Sequence, residues 1–143
     1  MESIHSKSES DTIKAAQTFA KRITEPKIIL LNGNLGTGKT VFARSFIRTL
    51  CNDQTIEVVS PTFTLLQSYD SDIAPIYHYD LYRIEDPDEI LELDWEDATY
   101  NAITLIEWPE RLGPYKPKSY LDITLSNVDN SENQRMIQIK SIE

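Results

Sequence analysis

The chain has 143 residues, enough for one domain that buries about 70% of the surface its unfolded form exposes. Hydrophobic residues make up 40% and charged residues 26%, an ordinary balance for a soluble globular domain, and the formal net charge is −9. That charge repels phosphodiester backbones and argues against a direct grip on nucleic acid. The single cysteine, Cys51, excludes an internal disulfide and a thiolate metal cluster.

The first eleven residues, MESIHSKSESD, are polar and lack the apolar core of a secretory signal, and no apolar run nears the ~20 residues of a membrane span. The expectation is one soluble cytoplasmic domain over 1–143, with residues 1–9 as a mobile lead and no membrane association. Ser10 or Asp11 is expected to cap a helix with Ile13, Ala16, Phe19, Ala20 and Ile23 on its apolar face, stopped by Glu25-Pro26. Lys27–Leu31 (KIILL) has the continuous apolar run of a buried central strand. A glycine-rich loop follows, then a helix to about Leu50 with Val41, Phe42, Phe46, Ile47 and Leu50 inward.

Thr55–Ser60 (TIEVVS) predicts the next strand, ended by Pro61; Thr64–Tyr69 and Ile76–Asp80 (IYHYD) predict two more. Asp86 is placed to cap a helix, with Pro87 in its first turn and Asp88 and Glu89 favouring its positive end. Ala102–Ile106 (AITLI) is a second apolar strand. Leu121–Leu125 and Met136–Ile142 alternate in polarity and flank the polar Asn127–Asn133, which predicts an antiparallel hairpin at one sheet edge. Strand, glycine loop, helix and further strands together indicate an α/β fold with a mostly parallel central sheet.

Residues Gly33, Asn34, Leu35, Gly36, Thr37, Gly38, Lys39 and Thr40 match the pattern G-x-x-x-x-G-K-[ST] in full. Glycines at those positions let successive N–H groups turn inward around phosphate oxygens, and the helix that follows points its positive end at the same anion. Lys39 would reach the β- and γ-phosphates of ATP or a close relative, and the Thr40 hydroxyl would ligate Mg²⁺. Three of the four glycines in the chain lie in this loop, so the pattern is not a by-product of a glycine-rich composition.

Such a loop needs an acid at the end of a neighbouring strand to hold the metal or its waters. Asp80, ending IYHYD, and Glu107, ending AITLIE, are the two candidates: Glu107 as metal ligand or orienter of the attacking water, Asp80 as a second ligand or as an acceptor behind the metal's own ligands. His78 is a lone histidine within a strand and receives no metal role. Arg83 is read as an ion-pair partner before a phosphate contact, and Trp95 and Trp108 as packing residues, Trp108 adjoining Glu107.

Taken together, GNLGTGKT (33–40), SPTFTL (60–65), YHYDLYR (77–83), DPDEILEL (86–93) and LIEWPE (105–110) resemble the TsaE (YjeE) family, the small ATPases of bacterial tRNA threonylcarbamoyladenosine synthesis. The resemblance implies a P-loop NTPase three-layer sandwich with antiparallel strands flanking parallel ones. It implies ATP on Gly36–Val41, Mg²⁺ held by Thr40 and Glu107, Asp80 required for hydrolysis, and Trp108 within the site. It also implies a nucleotide-sensing switch at Ser60, Pro61, Thr62 and Phe63, extending to Thr64, and places Glu9–Thr12 near the adenine. The partners implied are TsaB and TsaD, with tRNA reached only indirectly. Asn34, where the family often has an acid, and Lys14-Ala15-Ala16, where it often has glycine, depart from the pattern.

Two other readings compete. A small-molecule or nucleotide kinase would close an arginine-bearing lid over its phosphates, but the chain has only six arginines, Arg22, Arg44, Arg48, Arg83, Arg111 and Arg135, and little room for a lid. A non-catalytic switch subunit would use nucleotide occupancy alone. No Asn-Lys-x-Asp sequence is present to read guanine.

Overall fold

The computed structural model describes residues 1–143. One seven-stranded sheet forms the middle layer: β1 (Glu2–Ser6), β2 (Lys27–Asn32), β3 (Leu66–Tyr69), β4 (Ile76–Asp80), β5 (Ile103–Glu107), β6 (Tyr120–Asn127) and β7 (Arg135–Ile142). Their spatial order is β1-β7-β6-β2-β5-β4-β3. The four central strands, β6, β2, β5 and β4, are parallel, while β3 at one edge and β7 and β1 at the other are antiparallel. This is the α/β sandwich with a mostly parallel centre that the sequence predicts.

Successive residues of a strand face opposite sides, and β2 shows what each side buries. Ile29 and Leu31 join a 20-residue core beneath helices α1 (Glu9–Lys21) and α2 (Lys39–Leu50), whereas Leu30 joins a nine-residue core on the other face. On the first face Phe19 of α1 stacks against Phe46 of α2, and Phe42 lies beside both. The second face is roofed by short elements: a 3-10 helix over Pro87–Glu92, α3 (Trp95–Tyr100) and a kinked turn over Pro109–Tyr115. There Tyr79 meets Trp95 edge to face, and Trp95 is the packing residue expected of it.

Several expectations are corrected. Glu2–Ser6, expected as part of a mobile lead, pair with β7 as the edge strand; the backbone ladder supplies the bonds that a polar sequence does not advertise, and Arg22 adds a two-pronged bond to Glu2 at 2.6 and 3.0 Å. Helix α1 is capped by Ser8 rather than Ser10 or Asp11: the Ser8 hydroxyl accepts from the Asp11 N–H, and the Asp11 carboxylate accepts from Lys7 N–H. Thr55–Ser60 forms no strand. Its β-branched residues suit one, but a strand needs an open edge, and β4 already occupies the flank of β5. Ile56 and Val58 instead pack against the core, with Arg48 Nε donating to the Ile56 carbonyl.

The helix predicted after Asp86 is a 3-10 turn. Its start is as expected: Asp86 accepts from Asp88 N–H, while the Glu89 carboxylate accepts from Asp86 N–H. The final hairpin is real, but it is not wholly an antiparallel appendage. Strand β6 runs parallel to β2 and so belongs to the parallel centre.

Candidate functional site

Strand β2 delivers the glycine loop to the carboxyl end of the sheet. Asn32 anchors the delivery point, its Nδ2 donating to Asp122 Oδ1 at 2.7 Å and to the Ile123 carbonyl at 3.1 Å on β6. Gly33 follows where no larger residue fits: a Cβ there would lie 2.5 Å from Thr37 Oγ1 and 2.7 Å from the Leu125 carbonyl oxygen. Within the loop Thr37 donates to the Asn34 carbonyl at 2.8 Å, and Arg135 Nη2, reaching in from β7, donates to the Gly36 carbonyl at 3.2 Å. Gly38 closes the loop in the left-handed region (φ 94°) and starts α2 without a side-chain cap. The N-terminal N–H groups of α2 are therefore left for a ligand, the arrangement that binds anions.

Lys39 is the first residue of that helix and is only 6% exposed, yet its Nζ has no hydrogen-bond partner. It rests over the Trp108 indole, 3.6 Å from the ring centroid. Burial pushes the Lys39 ammonium below the usual lysine range, against the opposing pull of Glu107, Asp80 and Glu110. Trp108 is itself unusual: a non-glycine residue in the left-handed region (φ 58°, ψ 51°), immediately after β5, with the Tyr82 ring centroid 4.9 Å from its own. A ring that shields a cation without hydrogen-bonding it holds that cation loosely enough to be passed to a phosphate.

The acidic wall stands opposite. Asp80 and Glu107 are register partners at the carboxyl ends of parallel β4 and β5, and both are buried. The sheet therefore brings together two acids 27 positions apart at the mouth where the loop opens. Asp80 Oδ1 accepts from Tyr82 N–H at 3.0 Å, and Asp80 Oδ2 accepts from the Thr62 hydroxyl at 3.2 Å. Glu107 Oε2 lies 2.6 Å from His78 Nε2. Thr40, Ser60, His78 and Glu107 line one small cavity of about 10 Å³ between α2 and the sheet.

The Ser60–Thr64 segment is thus joined to the acidic wall. Ser60 bonds Thr62 at 2.8 Å, Thr62 bonds Asp80, and the Leu65 carbonyl accepts from Asp80 N–H. Pro61 is buried, whereas Phe63 is 80% exposed. The Arg83 guanidinium lies 4.7 Å from the Phe63 ring centroid rather than against an acid.

Glu9 lies apart from the phosphate end, in a cleft of about 80 Å³ with Thr12, Gly38, Val41, Asn133 and Arg135. Gly33, Asn34, Thr37 and Trp108 line a broader groove of about 700 Å³ on the other side of the loop, walled by Glu110 and the end of β6. Leu35 and Thr40 are exposed at the mouth. A fourth cavity, about 260 Å³, opens at the opposite end of the sheet around Pro26, Tyr100 and Tyr120, away from the loop and both acids.

The family model described as "Threonylcarbamoyl adenosine biosynthesis protein TsaE" matches residues 6–137. The chain belongs to the TsaE family. The tRNA threonylcarbamoyladenosine biosynthesis protein TsaE of Rickettsia typhi is 42% identical over 133 residues, covering 93% of this chain and 90% of that one. The Bacillus subtilis TsaE is 34% identical over 121 residues, 85% of this chain and 73% of that one. Among solved structures, the crystal structure of B. subtilis YdiB superposes with a TM-score of 0.79 over 99% of this chain and 86% of that one, at 22% identity, which speaks for a shared fold. Every site residue named above, from Glu9 to Arg135, lies within the matched span.

No group of three or more His, Cys, Asp or Glu side chains gathers anywhere in this TsaE chain. A metal at the mouth would rest on the Thr40 hydroxyl, one or two carboxylates and a ligand's phosphates. That all-oxygen donor set suits Mg²⁺, which keeps few protein ligands. His78, Asn133 and Arg135 are the site residues the sequence alone did not single out. His78 had a local signal, a histidine two residues before a candidate acid on a period-two strand, which puts both on one face. Asn133 and Arg135 had none, because their nearness to Gly36 depends on β7 folding back beside β6.

Proposed function

We propose that this TsaE-family chain binds ATP with Mg²⁺ and hydrolyses it slowly, as the nucleotide-driven subunit of a cytoplasmic assembly that makes threonylcarbamoyladenosine in tRNA. The observation that carries the reading is Lys39: a buried ammonium with no hydrogen-bond partner, at a helix N-terminus, facing two buried acids. A lysine so placed lacks an anion, and the loop around it supplies N–H donors for one.

In this reading Gly33–Val41 cradle the phosphates, Lys39 leaves the Trp108 ring for the β- and γ-oxygens, and Glu9 borders the adenine. Thr40 and Glu107 hold Mg²⁺, with Asp80 as further ligand or acceptor. The metal when bound neutralises charge on the phosphates. Asp80, or Glu107 acting through a water, orients the attacking oxygen, and burial keeps both acids short of competing solvent. Thr62 connects that orientation to the Ser60–Phe63 segment, so this segment is read as the part that senses the nucleotide.

Arg83 lies on Phe63 and Arg135 on the Gly36 carbonyl, while Arg44 lines the small cavity beside Thr40 and Glu107. Slow turnover by the chain alone is expected in this reading, and TsaB and TsaD are the partners proposed to raise it. The net charge of −9 suits a subunit that leaves tRNA contact to them.

The test is ATP hydrolysis by the chain alone and with purified TsaB and TsaD, at fixed Mg²⁺ and salt. A slow basal rate that rises with the partners is expected. No nucleotide binding would overturn the reading, and phosphate transfer to a small acceptor would replace it with a kinase.

A further inference from the structure

His78 is 2% exposed, and its ring makes a single hydrogen bond, from Nε2 to Glu107 Oε2 at 2.6 Å. An ionised carboxylate can only accept, so Nε2 carries a proton and donates it to that bond. Nδ1 is buried without a partner. A leucine at this core-facing position would bury no unsatisfied nitrogen, so what the imidazole contributes to the fold is its bond to Glu107. No other side chain or backbone N–H bonds that carboxylate, whereas Asp80 two residues along the same face has two donors of its own.

We propose that His78 is a positioning residue: its Nε2–H pins one oxygen of Glu107 and presents the carboxylate in a single orientation to a cation held beside Thr40. The proposal rests on the Mg²⁺–nucleotide reading above. The geometry behind it is local. Residues 78 and 80 share one face of β4, and 105 and 107 share the same face of β5, where His78 pairs in register with Leu105 and Asp80 with Glu107. The imidazole therefore lies one step behind the acid it holds, within the small cavity that Thr40 and Ser60 also line. It supports the carboxylate from the protein side, leaving the mouth to the ligand. Groups that orient a metal-binding side chain in this way commonly change metal affinity 10–100-fold when removed.

Two substitutions separate positioning from packing. In His78→Gln the amide nitrogen reaches about where Nε2 stood; in His78→Asn it stops about where Nδ1 stood. Binding of a fluorescent ATP analogue is followed in each as Mg²⁺ is titrated from zero. The Mg²⁺ midpoint is expected to rise about 10–100-fold in His78→Asn and to stay within a few-fold of wild type in His78→Gln. Metal-free binding should be alike in all three. Equal midpoints in wild type and His78→Asn, or equal shifts in both variants, would overturn the proposal. Wild-type binding indifferent to Mg²⁺ would overturn the reading beneath it and this proposal with it. Nitrogen NMR of the wild-type imidazole tests the same bond without a substitution: a ring protonated at Nε2 is expected, and a neutral ring protonated only at Nδ1 would refute it.

Discussion

Lys39 and Glu107 lie near enough to influence one another electrostatically, and both are nearly inaccessible, at 6% and 5% exposure. The lysine has no hydrogen-bond partner and leans on an indole, while the glutamate is held by His78 and its neighbour Asp80 by Thr62 and Tyr82. The cationic side of the site is unfinished without a ligand; the acidic side is already assembled. A loop that must exchange anions is better served by donors left unsatisfied, because every bond made beforehand would have to be broken on binding. Acids that are to hold a metal or orient a water gain from being fixed in advance, since ordering them later would cost conformational freedom. The Phe63 end of the Ser60–Thr64 segment, exposed and tied to the wall through Thr62, lies between these extremes.

Substitutions sharpen that contrast, beginning with the largest expected effect. Glu107→Gln should lower ATP turnover by about 100-fold or more, as loss of a water-orienting acid does, while sparing much of nucleotide binding. Rate assays beside equilibrium binding check it, and equal loss of both would remove the division between the two sides. Lys39→Ala should act the other way, weakening ATP binding about 10–100-fold, the worth of one or two hydrogen bonds to a charged group. Its companion Lys39→Met should lose the same affinity yet resist denaturant better, by about 1 kcal/mol, because a buried unsatisfied ammonium is gone. A stability loss in Lys39→Met would show that the contact with Trp108 outweighs the cost of burial.

Gly33→Ala should destabilise the fold by about 1–3 kcal/mol, since the added methyl meets the Leu125 carbonyl as well as Thr37, and backbone yields less readily than a side chain. Thermal or denaturant unfolding measures it. Thr62→Val should give the smallest effect, a loss of turnover from about twofold to tenfold, because the Asp80 carboxylate loses one of its two donors while Tyr82 N–H still holds it, with nucleotide affinity unchanged. An unchanged rate in Thr62→Val would detach the sensing segment from the acidic wall.

Much of the fold was legible because it was written locally. KIILL, the glycine loop and the amphipathic run after it predict strand, turn and helix in succession, and β2 and α2 appear with that turn between them. AITLI and IYHYD likewise become β5 and β4, within one residue of their expected limits. Thr55–Ser60 misled because β-branched composition reports a residue's suitability for a strand, not whether a sheet edge is free to receive it. Glu2–Ser6 misled in the opposite direction: an edge strand can be held by backbone bonds and one ion pair while its side chains look like a tail.

By itself the sequence determined the phosphate loop, the two candidate acids and the parallel strands that bear them. Those features depend on residues adjacent in the chain and on the periods of strand and helix. Only the tertiary structure decided which groups those residues meet. Trp108 beneath Lys39, Arg135 on the Gly36 carbonyl and His78 on Glu107 join residues 69, 99 and 29 positions apart. Side-chain partners are chosen by strand order and register, and these follow from how the whole sheet buries its two faces at once.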